Sequence, residues 1–168
     1  MCYVYHELYA IDYLLCPVVG IGEGRCKVKV VVRGTYYGNR TLPSWNDYLK
    51  VVGTNPIAGG RFKNEYSIPL INAIRRCLKG WKVTNPPIIL HYKFYESKKG
   101  IKRDVMNIFG LCDKYFEDAL QKCGVIENDN PAWVENTTHE FYWIDGEPYI
   151  EIEIEERGAK CTEDTKEK

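Results

Sequence analysis

The chain has 168 residues with 23 basic and 23 acidic side chains, so its formal net charge is zero. This length suits one domain with its own core, and the balanced charge disfavours a strongly cationic nucleic-acid coat protein. Acidic residues concentrate after residue 146, which leaves the preceding part of the chain comparatively basic.

The seven cysteines form no CxxC pair and no cluster with histidines. Their spacing favours reduced thiols in a cytoplasmic protein over a zinc site or a disulfide framework. The apolar residues 1–20 lack a basic start and include Glu7 and Asp12, so they predict neither a secretion signal nor a membrane span.

The first half of the chain predicts one strand and one helix. Residues 1–26 are an N-terminal extension whose role the sequence does not indicate. Val-rich alternation predicts a strand at 27–33, and turn formers predict a loop at 38–48. Glycines predict a flexible segment at 51–62. Apolar residues then recur at helical spacing over 63–79, with the regular part beginning near the proline at position 69.

The second half begins with a predicted strand at 88–96 and continues into the strongest helical pattern of the chain, from Asp104 to Cys123. Gly124 is the expected C-terminal stop of that helix. Its apolar face comprises Val105, Ile108, Phe109, Cys112, Tyr115, Phe116, Ala119 and Cys123.

Two strands, at 133–144 and 148–155, flank Asp145-Gly146 and predict a hairpin. In the second strand, alternation directs the isoleucines to the core and Glu151, Glu153 and Glu155 to water. The lone His91 is more typical of a packed or surface residue than of a metal ligand.

The elements predict an α+β fold with a mixed sheet of about four strands and two main helices, in the order β-α-β-α-β-β. We assign residues 27–157 to this domain. The charged residues 158–168 are predicted to be disordered.

Side chains that could bind a ligand or take part in catalysis cluster around the long helix. Four cations precede it, polar residues follow one edge of it, and an acidic turn comes after it. Taken alone, Asp104 is an ordinary N-cap and Asp129 an ordinary turn residue. These groups are the cations Lys98, Lys99, Lys102 and Arg103, the edge residues Asp104, Asn107, Lys114, Asp118 and Gln121, and the turn residues Glu127, Asn128 and Asp129.

This stretch resembles the RusA family of Holliday-junction resolvases, small phage and prophage endonucleases. The family pattern is a basic run, Asp-x-Asp-Asn, a Lys, Asp-Ala-Leu, Gly and an acidic pair. The similarity covers roughly residues 28–156, with about four extra residues between Asn107 and Lys114. The matching residues here are Asp104-Val-Met-Asn107, Lys114, Asp118-Ala-Leu, Gly124 and Asn128-Asp129.

The resemblance implies a Mg²⁺-dependent nuclease of RusA-like fold that makes two paired cuts in a four-way DNA junction. It also implies a symmetric homodimer, with no membrane partner. It implies Asp104 and Asp129 as the metal ligands, Asn107 as a residue that orients a water or phosphate oxygen, and Lys114 as a cation that neutralises transition-state charge. The implied DNA contacts are Lys98, Lys99, Lys102, Arg103 and Asn46, the last in a segment similar to the family's Pro-Ser-x-Asn-x-Tyr.

One departure from the family pattern bears on activity, because Met106 replaces its second Asp. The protein is then a weakened enzyme, an inactive one, or one that recruits another acid such as Asp113 or Asp118. Two further alternatives stay open. One is a non-catalytic protein that binds DNA junctions, and the other is a protein-interaction module that uses an aromatic surface including Trp133 and Trp143.

Overall fold

The structure is a computed structural model that describes residues 18–22, 25–36 and 40–157. The α+β class is confirmed, and the central helix begins and ends close to its predicted bounds. Within the described residues, the elements in chain order are β1 (Val18–Gly22), β2 (Arg25–Arg33), α1 (Trp45–Thr54), α2 (Pro56–Leu78), β3 (Ile88–Ser97), α3 (Val105–Lys122), β4 (Val134–Ile144) and β5 (Tyr149–Arg157).

The described strands form one mixed sheet in the order β1-β2-β5-β3-β4. β3 and β4 run parallel, whereas the pairs β1–β2, β2–β5 and β3–β5 are antiparallel. A parallel pair needs a long crossover connection, and α3 supplies it between β3 and β4. The helix that carries most of the predicted site residues is therefore fixed to the sheet at both of its ends.

The predicted hairpin around Asp145-Gly146 is wrong. β3 lies between β4 and β5, so the turn joins two strands that are not neighbours. Turn residues specify a chain reversal but not which strand takes the adjacent place. β3 takes that place because its inward side chains, including Tyr92 and Phe94 at 1% and 0% exposure, belong in the middle of the core.

One sheet face carries the core. The inward residues of β5 are buried as the alternation predicted, and α3 packs Phe116 edge-to-face on Tyr92 with ring centroids 5.9 Å apart. This face presents Val28, Val30, Val32, Leu90, Tyr92, Phe94, Ile150, Ile152 and Ile154. The other face is mostly charged, but Glu155 on it is only 4% exposed, so its expected exposure to water is wrong.

The segments predicted as a turn-rich loop and a flexible stretch contain α1 and the first turns of α2 instead. Local capping starts both helices. The backbone amide and hydroxyl of Ser44 donate to the Asp47 carboxylate at 2.8 and 2.7 Å. Asn55 accepts from the amide of Ile57 at 3.0 Å, and Pro56 occupies the first helical position, where its missing N–H costs nothing.

A glycine in this region serves packing, not flexibility. A Cβ at Gly59 would lie 2.8 Å from Cγ2 of Val52, so the absence of a side chain lets α1 and α2 approach closely. α2 also continues through Pro69, where a late start of the regular helix was expected.

The cysteines within the described residues divide into two groups. Cys112, at 1% exposure, and Cys123 are free thiols on the apolar side of α3, as the helical pattern predicted. Burial raises the pKa of the Cys112 thiol well above its ordinary value. Cys26 and Cys77 are disulfide-bonded, so the expectation of reduced thiols is wrong for these two. The spacing of cysteines along the chain does not show which of them form disulfides.

The predicted N-terminal extension is only partly described. Its residues 18–22 form β1, which pairs with β2. The predictions for residues 1–17 and for the charged tail 158–168 lie outside the described residues. Among the helices in the described part of the chain, none has the length and apolar character needed to cross a bilayer.

Candidate metal and DNA site along α3

Asp104 lies at the N-terminus of α3, where it is the N-cap. Its carboxylate accepts from the backbone amide of Asn107 at 3.1 Å, which satisfies one of the amides left unpaired at a helix start. Asp104 itself is exposed. The local role expected of this residue without the family resemblance is therefore present.

Asp129 follows α3 in the sequence and lies beside the second half of that helix. The turn after α3 returns it to Lys114, with which it forms a direct ion pair. Lys114 also reaches Asp118, one turn further on, at 3.3 Å, and Asp118 pairs with Lys63 of α2. The hydrogen bond from Lys114 lowers the pKa of Asp129 and raises that of Lys114. The turn after α3 therefore brings Asp129 to Lys114.

The two predicted metal ligands engage different parts of α3. Lys114, which holds Asp129, follows Asp104 by ten residues, a helix rise of about 15 Å. Each carboxylate already has a local partner, the Asn107 amide for Asp104 and the Lys114 ammonium for Asp129. Shared coordination of one ion by Asp104 and Asp129 stays a prediction, and none of these contacts brings the pair together.

Two other acids of α3 have the electrostatic properties expected of a cation site. Burial, together with the negative charges of the nearby Asp113 and Asp129, raises the pKa of Glu117 to about 7. Burial also raises the pKa of Asp113. A bound cation would favour the ionised form of such partly buried carboxyl groups, whose pKa is raised beside other acids. Asp113 was one of the acids considered as a substitute ligand, whereas Glu117 was missed, although its spacing of four residues from Asp113 puts both on one helix face.

A buried tyrosine faces the same acids from β3. Tyr92 is 1% exposed, and its hydroxyl contributes to the electrostatics of Asp113. That hydroxyl and Oδ1 of Asp113 are both shielded from solvent, and the interaction between the two side chains lowers the pKa of Asp113 against the larger effect of burial. His139 of β4 adds favourable charge to Asp113 and stacks on Phe109, with centroids 4.2 Å apart. Tyr92 and His139 thus face the carboxylate of Asp113 from β3 and β4.

Met106 lies on the same face of α3 as these two acids, nearer the start of the helix. Positions seven and eleven residues after it, Asp113 and Glu117, share its helix face within about 20°. Its side chain is 60% exposed, and the side chains of Ile101 and Val105, which precede it in the sequence, are also exposed. An apolar surface thus replaces the acid that the family pattern has at this position.

The predicted DNA-binding cations behave differently from one another. Lys99 and Lys102 are exposed, as a role at a DNA surface requires. Lys98 is also exposed but pairs with Asp145 at 2.7 Å, and such a surface pair is weak enough to exchange for a phosphate.

Arg103 is a correction to the predicted DNA surface. Its guanidinium donates to Glu96 at 2.8 Å and to the backbone carbonyl of Leu42 at 2.6 Å, and both charged side chains are only 6% exposed. A cation buried against its own counter-ion does not reach phosphate. The run of basic residues in the sequence did not predict this burial, because the partner Glu96 lies on the preceding strand.

Asn46, the remaining predicted DNA contact, is exposed in the first turn of α1. The residue before it, Trp45, packs its indole against α3 at Gly110, where a Cβ would lie 2.9 Å from Nε1. Asn46 is thus on a segment that contacts the first half of α3, although the described structure gives it no ligand-binding geometry of its own.

No protein-family model matches the chain, and no curated protein matches it. The resemblance to RusA-type resolvases therefore stays a prediction based on the residues quoted above.

Proposed function

We propose that this protein is a Mg²⁺-dependent endodeoxyribonuclease that acts on branched DNA, with a four-way junction as substrate. The observation that carries the proposal is the acid cluster on α3, in which the high pKa of Glu117 accompanies Asp113 and the Lys114–Asp129 pair. Phosphodiester hydrolysis needs an activated water and neutralisation of phosphate charge, and carboxylate-bound Mg²⁺ supplies both.

The proposed ligands differ in part from those that the family resemblance implies. Mg²⁺ retains most of its waters and needs only one or two carboxylates, so Glu117 with Asp113 or Asp129 is sufficient. Lys114 lies beside this group and is suited to neutralise charge on the scissile phosphate. Asp104 is retained as a ligand to be tested, since its carboxylate already caps α3.

Recognition of the substrate is proposed to rest on backbone contacts. The exposed Lys99 and Lys102 flank the N-terminus of α3, and Lys98 can exchange Asp145 for phosphate. A junction requires two symmetric cuts, so we propose a homodimer. We also propose the cytoplasm as the location, from the DNA substrate alone, because the disulfide-bonded Cys26 and Cys77 remove the argument from reduced thiols.

A specific observation also favours a second candidate, a junction-binding protein without catalytic activity. Met106 is exposed where the resembled family has an acid, and Lys114 already neutralises Asp129. Such a protein keeps the exposed lysines and loses metal affinity.

The test is cleavage of a labelled four-way junction by the full chain over a range of Mg²⁺ concentrations. Glu117→Gln and Asp129→Asn are expected to reduce cleavage by about a hundredfold or more. Asp104→Asn separates two roles, because Asn caps a helix as well as Asp but is a poorer cation ligand. Glu127→Gln, an exposed acid in the same turn, is the matched control and should cleave normally.

The outcomes separate the candidates. Salt-dependent junction binding without cleavage at any Mg²⁺ concentration would favour the second candidate. Neither binding nor cleavage would overturn both.

A further inference from the structure

A cluster on the charged face of the sheet lies apart from the α3 acids, on the side opposite the core. His91 of β3 is in register with Glu153 of β5, and Glu155 is the next residue of β5 on that face. The three side chains each direct one possible ligand atom into a common region, with all of these atoms within 4.8 Å of one another. They differ from a purely acidic surface because one donor is an imidazole.

The histidine of this cluster is oriented by its neighbours. Its Nδ1 lies 2.8 Å from the Thr138 hydroxyl on β4. Its Nε2 points to the cluster, 3.4 Å from Oε2 of Glu155, and is shielded from solvent. Among the described residues, no hydrogen-bond partner satisfies this nitrogen. An imidazole held through one nitrogen, with the other directed at carboxylates, is the arrangement that metal-binding histidines use.

A cation already occupies part of this region. The ammonium of Lys27 on β2 lies 2.7 Å from Oε1 of Glu153 and 3.2 Å from Oε2 of Glu155. The hydrogen bond with Glu153 raises the pKa of Lys27. The two carboxylates therefore hold a positive charge at the position that a metal ion would take. A cavity of about 180 Å³ lined in part by Lys27, His91 and Glu153 leaves room for coordinated water and for the lysine to move aside.

We propose that His91, Glu153 and Glu155 bind a divalent transition metal, with Zn²⁺ the best match, and that Lys27 competes with the metal for the two carboxylates. One imidazole with two carboxylates suits zinc better than magnesium, which prefers oxygen ligands alone. Ligand atoms around a tetrahedral zinc lie about 3.4 Å apart, so side-chain movements of roughly 1 Å are enough to close the site. This site is independent of the proposed nuclease activity.

The test is calorimetric titration of tag-free, full-length protein with Zn²⁺ in the presence of excess Mg²⁺, which occupies sites made of oxygen alone. We expect one site per chain whose affinity falls at least about tenfold in His91→Ala and Glu153→Gln. Lys27→Met should bind Zn²⁺ about tenfold more tightly, because the competing ammonium is removed. Lys29→Met is the matched control, since Lys29 pairs with Glu151 at 3.4 Å and not with the cluster.

Unchanged Zn²⁺ binding in His91→Ala and Glu153→Gln would overturn the proposal, because zinc would then be held elsewhere, for example by thiols. A second measurement needs no variant. Co²⁺ added to the wild-type protein should broaden the imidazole NMR signals of His91 before those of His139. Broadening of His139 alone would also overturn the proposal.

Discussion

Arg103 and Glu96 form an ion pair at 2.8 Å in which both side chains are almost completely buried. The second guanidinium arm of Arg103 donates to the carbonyl of Leu42, so one residue joins the end of β3, the loop before α1 and the start of α3. A buried pair of this kind adds little net stability by itself, but removal of one partner leaves an uncompensated charge.

The first prediction concerns this pair. Arg103→Ala should lower the free energy of unfolding by about 3–5 kcal/mol, because Glu96 would remain buried without a counter-ion. Lys102→Ala, the exposed neighbour, should change it by less than about 0.5 kcal/mol. Urea unfolding followed by circular dichroism measures both. Equal, small losses would show that Arg103 is not a structural residue and would restore its predicted role in DNA binding.

The second prediction concerns Glu117, whose pKa of about 7 in the folded protein lies above its ordinary value of 4.5. A carboxyl group whose pKa is raised by folding contributes stability that is fully present when the pH is below its pKa in the unfolded chain. That contribution is lost as the pH rises through its pKa in the folded protein. Between pH 4.5 and 7 the loss should reach up to about 3 kcal/mol. Glu117→Gln should flatten this part of the profile of unfolding free energy against pH.

The same group reports on the proposed metal site without any enzymatic assay. Saturating Mg²⁺ should lower the pKa of Glu117, as measured by NMR titration of its side-chain carboxyl carbon, since a bound cation favours the ionised form. The carboxyl carbon of the exposed Glu127 is the internal control. An equal response of both residues to Mg²⁺ would mean ionic screening and would contradict a site at Glu117.

The sequence predicted the parts of this fold that rest on periodicity. The alternation at Ile150, Ile152 and Ile154 and the apolar face of α3 depend on one element and its burial, so local pattern was sufficient. Apart from the locally capped starts of α1 and α2, the main wrong predictions depend on a distant partner. The position of β3 between β4 and β5, the burial of Arg103 on Glu96 and the contact of Gly59 with Val52 are tertiary facts without a local signature.

The candidate site divides in the same way. The N-cap geometry of Asp104 was predictable, because the cap and its amide lie three residues apart. The contact of Asp129 with Lys114 requires the turn after α3 to return to the helix, and the sequence did not show where that turn leads. The high pKa of Glu117 depends on burial between α3 and its surroundings, which composition does not reveal.

The third prediction concerns the pair of Lys114 and Asp129. The pKa of Asp129 is lowered by Lys114, so the pair stabilises the fold above the ordinary pKa of an aspartate and the effect is lost as pH falls. Lys114→Met should raise the pKa of Asp129, as measured by carboxyl NMR titration. The stability change at pH 7 should stay below about 1 kcal/mol, since Lys114 is half exposed. An unchanged pKa of Asp129 would show that the ion pair does not persist in solution.

The fourth prediction concerns Gly110, the helical position that receives the indole of Trp45. Alanine improves an unconstrained helix interior by up to about 1 kcal/mol relative to glycine. At Gly110, however, the new Cβ would lie 2.9 Å from Nε1 of Trp45, and a rigid indole must shift to admit it. We expect Gly110→Ala to lower the free energy of unfolding by roughly 1–2 kcal/mol after that gain is subtracted.

Gly60→Ala in α2 is the matched control, because a Cβ there meets nothing within 4 Å and should stabilise the protein. Urea unfolding of the two variants should therefore give changes of opposite sign, and stabilisation by both would mean that Trp45 does not seat α1 on α3.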